Sequence, residues 1–381
     1  MRLIHFSLLF CLLLVSCTAP PDPASPEAAQ PPAASPAIAT IAQTSPTAKA
    51  TRIKTATPAP TKPLKSVLLI SWDGARAGMM YDWIGDGTLP HFAALAAQGV
   101  RAEYARSIDP SLTAAAHNSI ATGSFPARTG IVSNSFHNPA DAFYWYRRGF
   151  DEVLDQAEPV WKTASKAGLT TAALFFPGGS PTLPGQTADY TIGYGIRDAY
   201  SLQLTATLSL PAEAWQGELP ASYSEPYEGS FKITDVSPVY LYLLDSTDDS
   251  TSNYDTVILS TDRNVTADSP RLKTGEWGQL ILMPTSVAGA DFLIQEIAQD
   301  SIPRHIKLFY SNVYHNTAKP HTFLKELNEK FGFFPAGADS YALEDGWITP
   351  EDDLYLLERQ ARWIAEVTAW VRTTYMPDLI F

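Results

Sequence analysis

The sequence has two cysteines, Cys11 and Cys17, and none after them. Everything downstream therefore lacks a disulfide, a cysteine-ligated zinc and a thiolate nucleophile, so any metal must be held by Asp, Glu, His or hydroxyl oxygens. Positive charge is also scarce: 27 Lys and Arg stand against 40 Asp and Glu, a formal net charge of −13. That balance argues against a nucleic-acid polymer as partner. It chiefly serves solubility, and a site for a small anion has to overcome it, for which metal ions are the ready means. Neither of the glycine-rich phosphate cradles G-x-x-x-x-G-K-[ST] and G-x-G-x-x-G occurs, and there is no internal repeat. Gly85-Asp86-Gly87 reads as a turn.

What the chain does have begins with a leader. Met1-Arg2 precedes an apolar run from Leu3 to Val15, broken only by His5 and Ser7. A basic start and about a dozen apolar residues fit an export signal over residues 1–16, since a membrane span needs roughly 20. Leu14-Val15-Ser16-Cys17 resembles the bacterial lipobox, which implies that Cys17 is diacylated and becomes the mature N-terminus, firmly anchored in the cell envelope on the extracytoplasmic side. An ordinary signal peptide with an incidental Cys17 is the alternative. Residues 17–64 are mostly Ala, Pro, Ser and Thr and hold 11 of the 30 prolines. They cannot bury a core and read as a disordered tether.

Residues 65–381 are rich in aliphatic and aromatic side chains and long enough for one large α/β domain with an insertion, or for two domains. Ser66 to Ser71 is a near-continuous apolar run, the pattern of a strand buried on both faces of a parallel sheet. It delivers Asp73 at its carboxyl end, where such sheets bind ligands. Pro90 to Gly99 predicts a helix and Val100 to Ala105 a strand. Ala114 to Thr122 predicts a helix stopped by Gly123 and capped by Ser111 or Thr113. Val160 to Ala167 reads as helix and Thr170 to Phe176 as strand. From 196 to 310 the runs 201–208, 239–244, 255–260, 278–283 and 305–310 alternate with polar turns, which predicts a largely antiparallel β insertion. Helix returns from Pro350 to Arg372, and Asp378 to Phe381 reads as a buried parallel strand.

Five short elements recur in order across about 65 residues: Ile70-Ser71-Trp72-Asp73-Gly74, Leu89-Pro90-His91-Phe92, Pro110-Ser111-Leu112-Thr113, Thr122-Gly123, and Gly130-Ile131 through Asn134. Their order and spacing resemble the type I phosphodiesterase/nucleotide pyrophosphatase family of the alkaline phosphatase superfamily. The resemblance implies an alkaline-phosphatase-like α/β core, a mostly parallel sheet between helices, with its nucleophile half at 65–195, a β-rich insertion at 196–310 and the core continued at 311–381. It further implies that Asp73 ligates a divalent metal, that Thr113 is the nucleophile and also a metal contact, and that Asn134 donates a hydrogen bond to a nonbridging phosphoryl oxygen. Two divalent ions, zinc by analogy, belong to the complete enzyme. A threonine hydroxyl needs such activation to attack at neutral pH, and a helix N-terminus at Thr113 favours an anionic group.

Each residue also has a plainer reading: Asp73 in an Asp-Gly turn, Thr113 as a helix cap, Asn134 as a loop residue bonded to its own backbone, His117 packed beneath the helix. The family often carries Asn at the position of Ala116 and His at that of Thr129, which leaves the subfamily open. The C/S-x-P-x-R segment of sulfatases is missing. The family's later Asp and His ligands have no counterpart in this sequence: His305, His315 and His321 lack their spacing. The expectation is therefore an incomplete, cut-off enzyme whose 381 residues are inactive and poorly metallated. A noncatalytic, lipid-anchored surface protein that uses the core as scaffold and the insertion for binding is the competing class. A nucleotide, a phospholipid headgroup or a glycan phosphate fits as substrate.

Overall fold

A computed structural model describes residues 66–381 except 153, 155, 211, 213 and 300–303. The export signal, Cys17 and the tether lie outside the described residues. The described chain is a mixed α/β fold built on two principal sheets.

The first sheet runs in the order Val67–Leu68, Leu379–Ile380, Thr171–Leu174, Tyr190–Ile192, Ala318–Lys319. The first four strands are parallel and the last is antiparallel. Alternation along these strands sorts their side chains to two faces. Ala172, Leu174, Ile192 and Ile380 meet Phe323 and Leu327 of the helix His321–Phe331 and Trp363, Val367 and Val371 of the helix Pro350–Thr374. On the other face Ala173, Leu379 and Phe381 meet Ala121 and Trp161, from the helices Thr113–Thr122 and Val160–Lys166. The sheet is thus sandwiched between helices.

The second sheet has ten strands, all paired antiparallel, drawn from residues 196–315. Its strands Leu202–Ser209, Ser237–Leu244, Thr256–Ser260, Trp277–Met283 and His305–Tyr310 occupy the alternating runs read from the sequence. The 25-residue helix Pro350–Thr374 spans both cores, with Leu356 under the antiparallel sheet and Trp363 to Val371 under the parallel one. Its start is sharp because Thr349 and Asp352 form a reciprocal capping box. No helix among the described residues is long and apolar enough to cross a membrane.

Two local expectations fail for physical reasons. The opening strand is two residues long and lies at the sheet edge, with Val67 and Leu68 exposed, because only Leu379–Ile380 pairs with it among the described residues. The helices that follow, Ala77–Gly85 and Pro90–Gln98, bury no residue. Val100 to Ala105 is irregular and its Val100 and Tyr104 are exposed. An alternating run becomes a strand only where a partner supplies hydrogen bonds.

The antiparallel core holds one buried charge pair. Asp291 is fully buried and Arg359 Nε lies 2.9 Å from its Oδ1. The alignment misses hydrogen-bond geometry, and both carboxylate oxygens remain without a hydrogen-bond partner. Burial therefore outweighs the attraction of Arg359 and pushes the carboxyl up to about 6. A carboxyl raised in the fold binds its proton more tightly there than in the unfolded chain. Its contribution is thus most favourable below the unfolded value near 4 and is lost as pH rises through about 6. Replacing the pair together, Asp291→Leu with Arg359→Met, is expected to leave stability at pH 7 unchanged or higher by roughly 1–4 kcal/mol. Urea unfolding across pH 4–7 should also lose the slope that this carboxyl imposes, and a retained slope would assign it elsewhere.

Candidate active site

The carboxyl ends of the parallel strands share one edge of the first sheet, and three segments of the chain converge there. Asp73 follows the strand Val67–Leu68 in a turn closed by Gly74 at φ +72°. It is an Asp-Gly turn and a placed carboxylate at once. Tyr194 follows the strand Tyr190–Ile192. The helix Thr113–Thr122 starts at the same place, with Thr113 as its first residue and Leu112, rather than Ser111 or Thr113, at the capping position.

Thr113 Oγ1 donates to Asp73 Oδ2 at 2.9 Å. Neighbouring oxygens of a tetrahedral site with bonds of roughly 2.0–2.2 Å lie about 3.4 Å apart, so this pair would open slightly to share one ion. The pair fits part of a metal's ligand set and is not a whole one, since a stable site takes about four ligands. Among the described residues no group of three or more His, Cys, Asp or Glu is arranged to hold a metal. His305 and His315 lie on strands of the antiparallel sheet, where His315 Nδ1 meets Asp198 at 2.8 Å, and His321 opens the helix His321–Phe331 on the parallel sheet.

Asn134 is brought to the same helix start. Its Oδ1 accepts from the Ala114 N–H at 2.8 Å and so caps the first turn from a distant loop. With Oδ1 committed to that contact, the amide is oriented and its Nδ2 remains as the donor. Gly149 makes that placement possible. Its N–H donates to the Asn134 carbonyl at 3.0 Å, and an added Cβ would collide with the Ser133 carbonyl oxygen and stand 2.9 Å from Ala114 Cβ. Gly149→Ala is expected to lose about 1–3 kcal/mol in urea unfolding, because backbone rather than a mobile side chain must yield. An unchanged midpoint would mean that the loop does not close on the helix as described.

The helix itself is built for close approach. Ala114, Ala115 and Ala121 are fully buried. Its polar residues bond back within the helix, Asn118 Nδ2 to the Ala114 carbonyl and Ser119 Oγ to the Ala115 carbonyl. Gly123 ends it at φ +62°. His117 lies beneath the site, as the plainer reading has it, with both ring nitrogens engaged. Nδ1 is 2.8 Å from the Thr113 carbonyl and therefore carries the proton, which leaves Nε2 to accept from Ser71 Oγ at 2.9 Å. The Phe176 ring closes over it at 5.3 Å. This bridge ties the Thr113 backbone to the segment carrying Asp73. Its only sequence signal is the four-residue spacing from Thr113 to His117. Tyr194 gave no signal at all. Burial of its tip raises its phenol pKa, and the nearby Asp73 carboxylate adds to the shift.

Comparison with known proteins matches residues 67–274 to the family described as type I phosphodiesterase / nucleotide pyrophosphatase. Ectonucleotide pyrophosphatase/phosphodiesterase family member 7 of Mus musculus is 29% identical over 148 residues, 38% of this chain and 33% of that protein. Family member 1 of Homo sapiens is 32% identical over 121 residues, 31% of this chain and 13% of that protein. Venom phosphodiesterase 2 of Crotalus adamanteus is 28% identical over 146 residues, 37% of this chain and 18% of that protein. The matched stretch spans a third or less of each of these relatives.

Proposed function

The chain belongs to the type I phosphodiesterase/nucleotide pyrophosphatase family, and on that footing we propose that it is a phosphate-ester hydrolase working through a phosphothreonine at Thr113. The observation that carries this reading is the 2.9 Å contact between Thr113 Oγ1 and Asp73 Oδ2 at the start of a helix. In this reading Asp73 orients the Thr113 hydroxyl, and the first-turn N–H groups and helix dipole draw in the anionic phosphoryl group. The Asn134 Nδ2 group, set by the Ala114 contact, donates to a nonbridging oxygen. Thr113 Oγ displaces the leaving group from phosphorus, and water then releases the phosphate from threonine. Asp73 and Thr113 would hold a divalent ion, which when bound favours the alkoxide and offsets developing charge.

The substrate is a small phosphate ester: a nucleotide, a phospholipid headgroup or a glycan phosphate. Acylation at Cys17 would place the enzyme on the outer side of the envelope membrane. The count of two ligands among the described residues favours one second reading, a noncatalytic binding protein on the same scaffold. Release of p-nitrophenol from bis(p-nitrophenyl) phosphate by the purified 381-residue chain in excess Zn2+ or Mn2+, with a p-nitrophenyl phosphoryl group trapped on the Thr113 peptide after acid quench, would support the hydrolase and overturn the expectation that these residues are inactive. Folded protein that binds no divalent ion and does neither would favour the binding protein and overturn the hydrolase.

A further inference from the structure

The antiparallel sheet carries a cleft of about 430 Å³ that includes neither Asp73, Thr113 nor Asn134, and the hydrolase reading has no use for it. Its polar groups come from three segments. Asp262, Asn264 and Asp268 lie between the strands Thr256–Ser260 and Arg271–Leu272, Gln279 lies on the strand Trp277–Met283, and Arg359 on the helix Pro350–Thr374. Leu280 and Phe331 add apolar surface. A concave site with a few convergent polar groups is the usual form of a small-molecule site.

Two of these charged groups are held in place before any ligand arrives. Asp262 Oδ1 accepts from Ser260 Oγ at 3.0 Å and from the Asn264 N–H at 2.9 Å, which fixes the carboxylate and leaves Oδ2 as an acceptor. Arg359 is held by Asp291, 2.9 Å from its Nε, and by the Phe333 ring, whose centre is 5.0 Å from the guanidinium carbon. Its Nε and Nη1 are buried without a hydrogen-bond partner, Nη2 has none among the described residues either, and 13% of the side chain stays exposed. Apolar side chains of similar volume would stabilise the core at least as well as this pair. Its use therefore lies in the guanidinium that Asp291, itself outside the lining, holds at the cleft. Charge then separates the candidate ligands. Asp262 and Asp268 are the acids of the lining and Arg359 is its one base, so a small anion meets two carboxylates for one guanidinium. A metal ion finds no group of three His, Cys, Asp or Glu among the described residues. A neutral hydroxyl both donates and accepts, so adjacent hydroxyls of a sugar ring can give to Asp262 and take from Arg359 and Gln279.

We infer that this cleft is a binding site for a neutral saccharide, separate from the Thr113 site. The inference does not rest on the hydrolase reading. Its test is saturation-transfer NMR on the full-length protein, titrated with the methyl glycosides of glucose, galactose, mannose and N-acetylglucosamine. At least one of these probes is expected to bind. Asp291→Leu with Arg359→Met should weaken that binding by about tenfold or more, the scale of one hydrogen bond to a charged group. Gln279→Ala, which trims an exposed side chain and leaves the core untouched, should weaken it as well. Absence of transfer from all four probes overturns the inference, as does binding that the paired substitution leaves intact. Displacement of the sugar by inorganic phosphate also overturns it and assigns the cleft to an anion. Loss of binding in Asp73→Asn overturns it too, because the sugar would then sit at the Thr113 site.

Discussion

Where the chain is active, Thr113→Ala is expected to cut turnover of an aryl phosphodiester by about 10^3-fold or more, deletion of a protease nucleophile costing up to about 10^6-fold. The fold should hardly register the change. Thr113 is half-buried, it is not the residue that caps its helix, and its side chain makes one hydrogen bond, to the exposed Asp73. A contact of that kind contributes about 1 kcal/mol. Thr113→Ser keeps an oxygen within reach of Asp73 and should retain most of the rate. Steady-state assays beside urea unfolding separate the two effects. An alanine variant that turns over at the parental rate would remove Thr113 from the chemistry, whatever the family membership.

Trp161→Ala is expected to cost about 3–5 kcal/mol in urea unfolding, the range for deleting a large buried aromatic. Trp161 is fully buried, its ring meets Phe176 at 6.1 Å and Phe381 at 5.3 Å, and it shares a cluster with Ala121 on the helix Thr113–Thr122. Its Nε1–H donates to the Gln186 carbonyl at 3.0 Å, which the variant leaves without that donor. Trp161→Phe keeps most of the contact area and should recover a good part of the loss. A cost below about 1 kcal/mol for the alanine variant would mean that this face of the parallel sheet is not packed as described.

The elements that could be read from the sequence were those whose signals are local. The helix Thr113–Thr122 is announced by its alanines and stopped by Gly123, which takes the left-handed turn without a Cβ penalty. The strands Leu202–Ser209 and Ser237–Leu244 announce themselves by alternation. Asp73 and Thr113 stood out through ordered short motifs, and the fold brings them into contact. Three site features were hidden because each depends on a partner far along the chain. Asn134 caps a helix 20 residues before it, His117 reaches Ser71 across 46 residues, and Tyr194 feels Asp73 through space.

Sequence alone therefore determined the chemistry on offer: no thiol past Cys17, a surplus of acid, and a strand-end carboxylate followed in order by a threonine at a helix start. Those properties are fixed by residue type and near-neighbour spacing, which folding does not alter. Tertiary structure alone decided which strand of the parallel sheet is exposed. Val67–Leu68 has the composition of a central strand, yet Leu379–Ile380 takes the interior place beside Thr171–Leu174. The aromatic run 143–146 is exposed, beyond the hairpin and the Arg147–Asp141 contact. Burial depends on which surfaces the rest of the chain brings to a segment, and hydrophobicity states only what the segment would gain if they arrived.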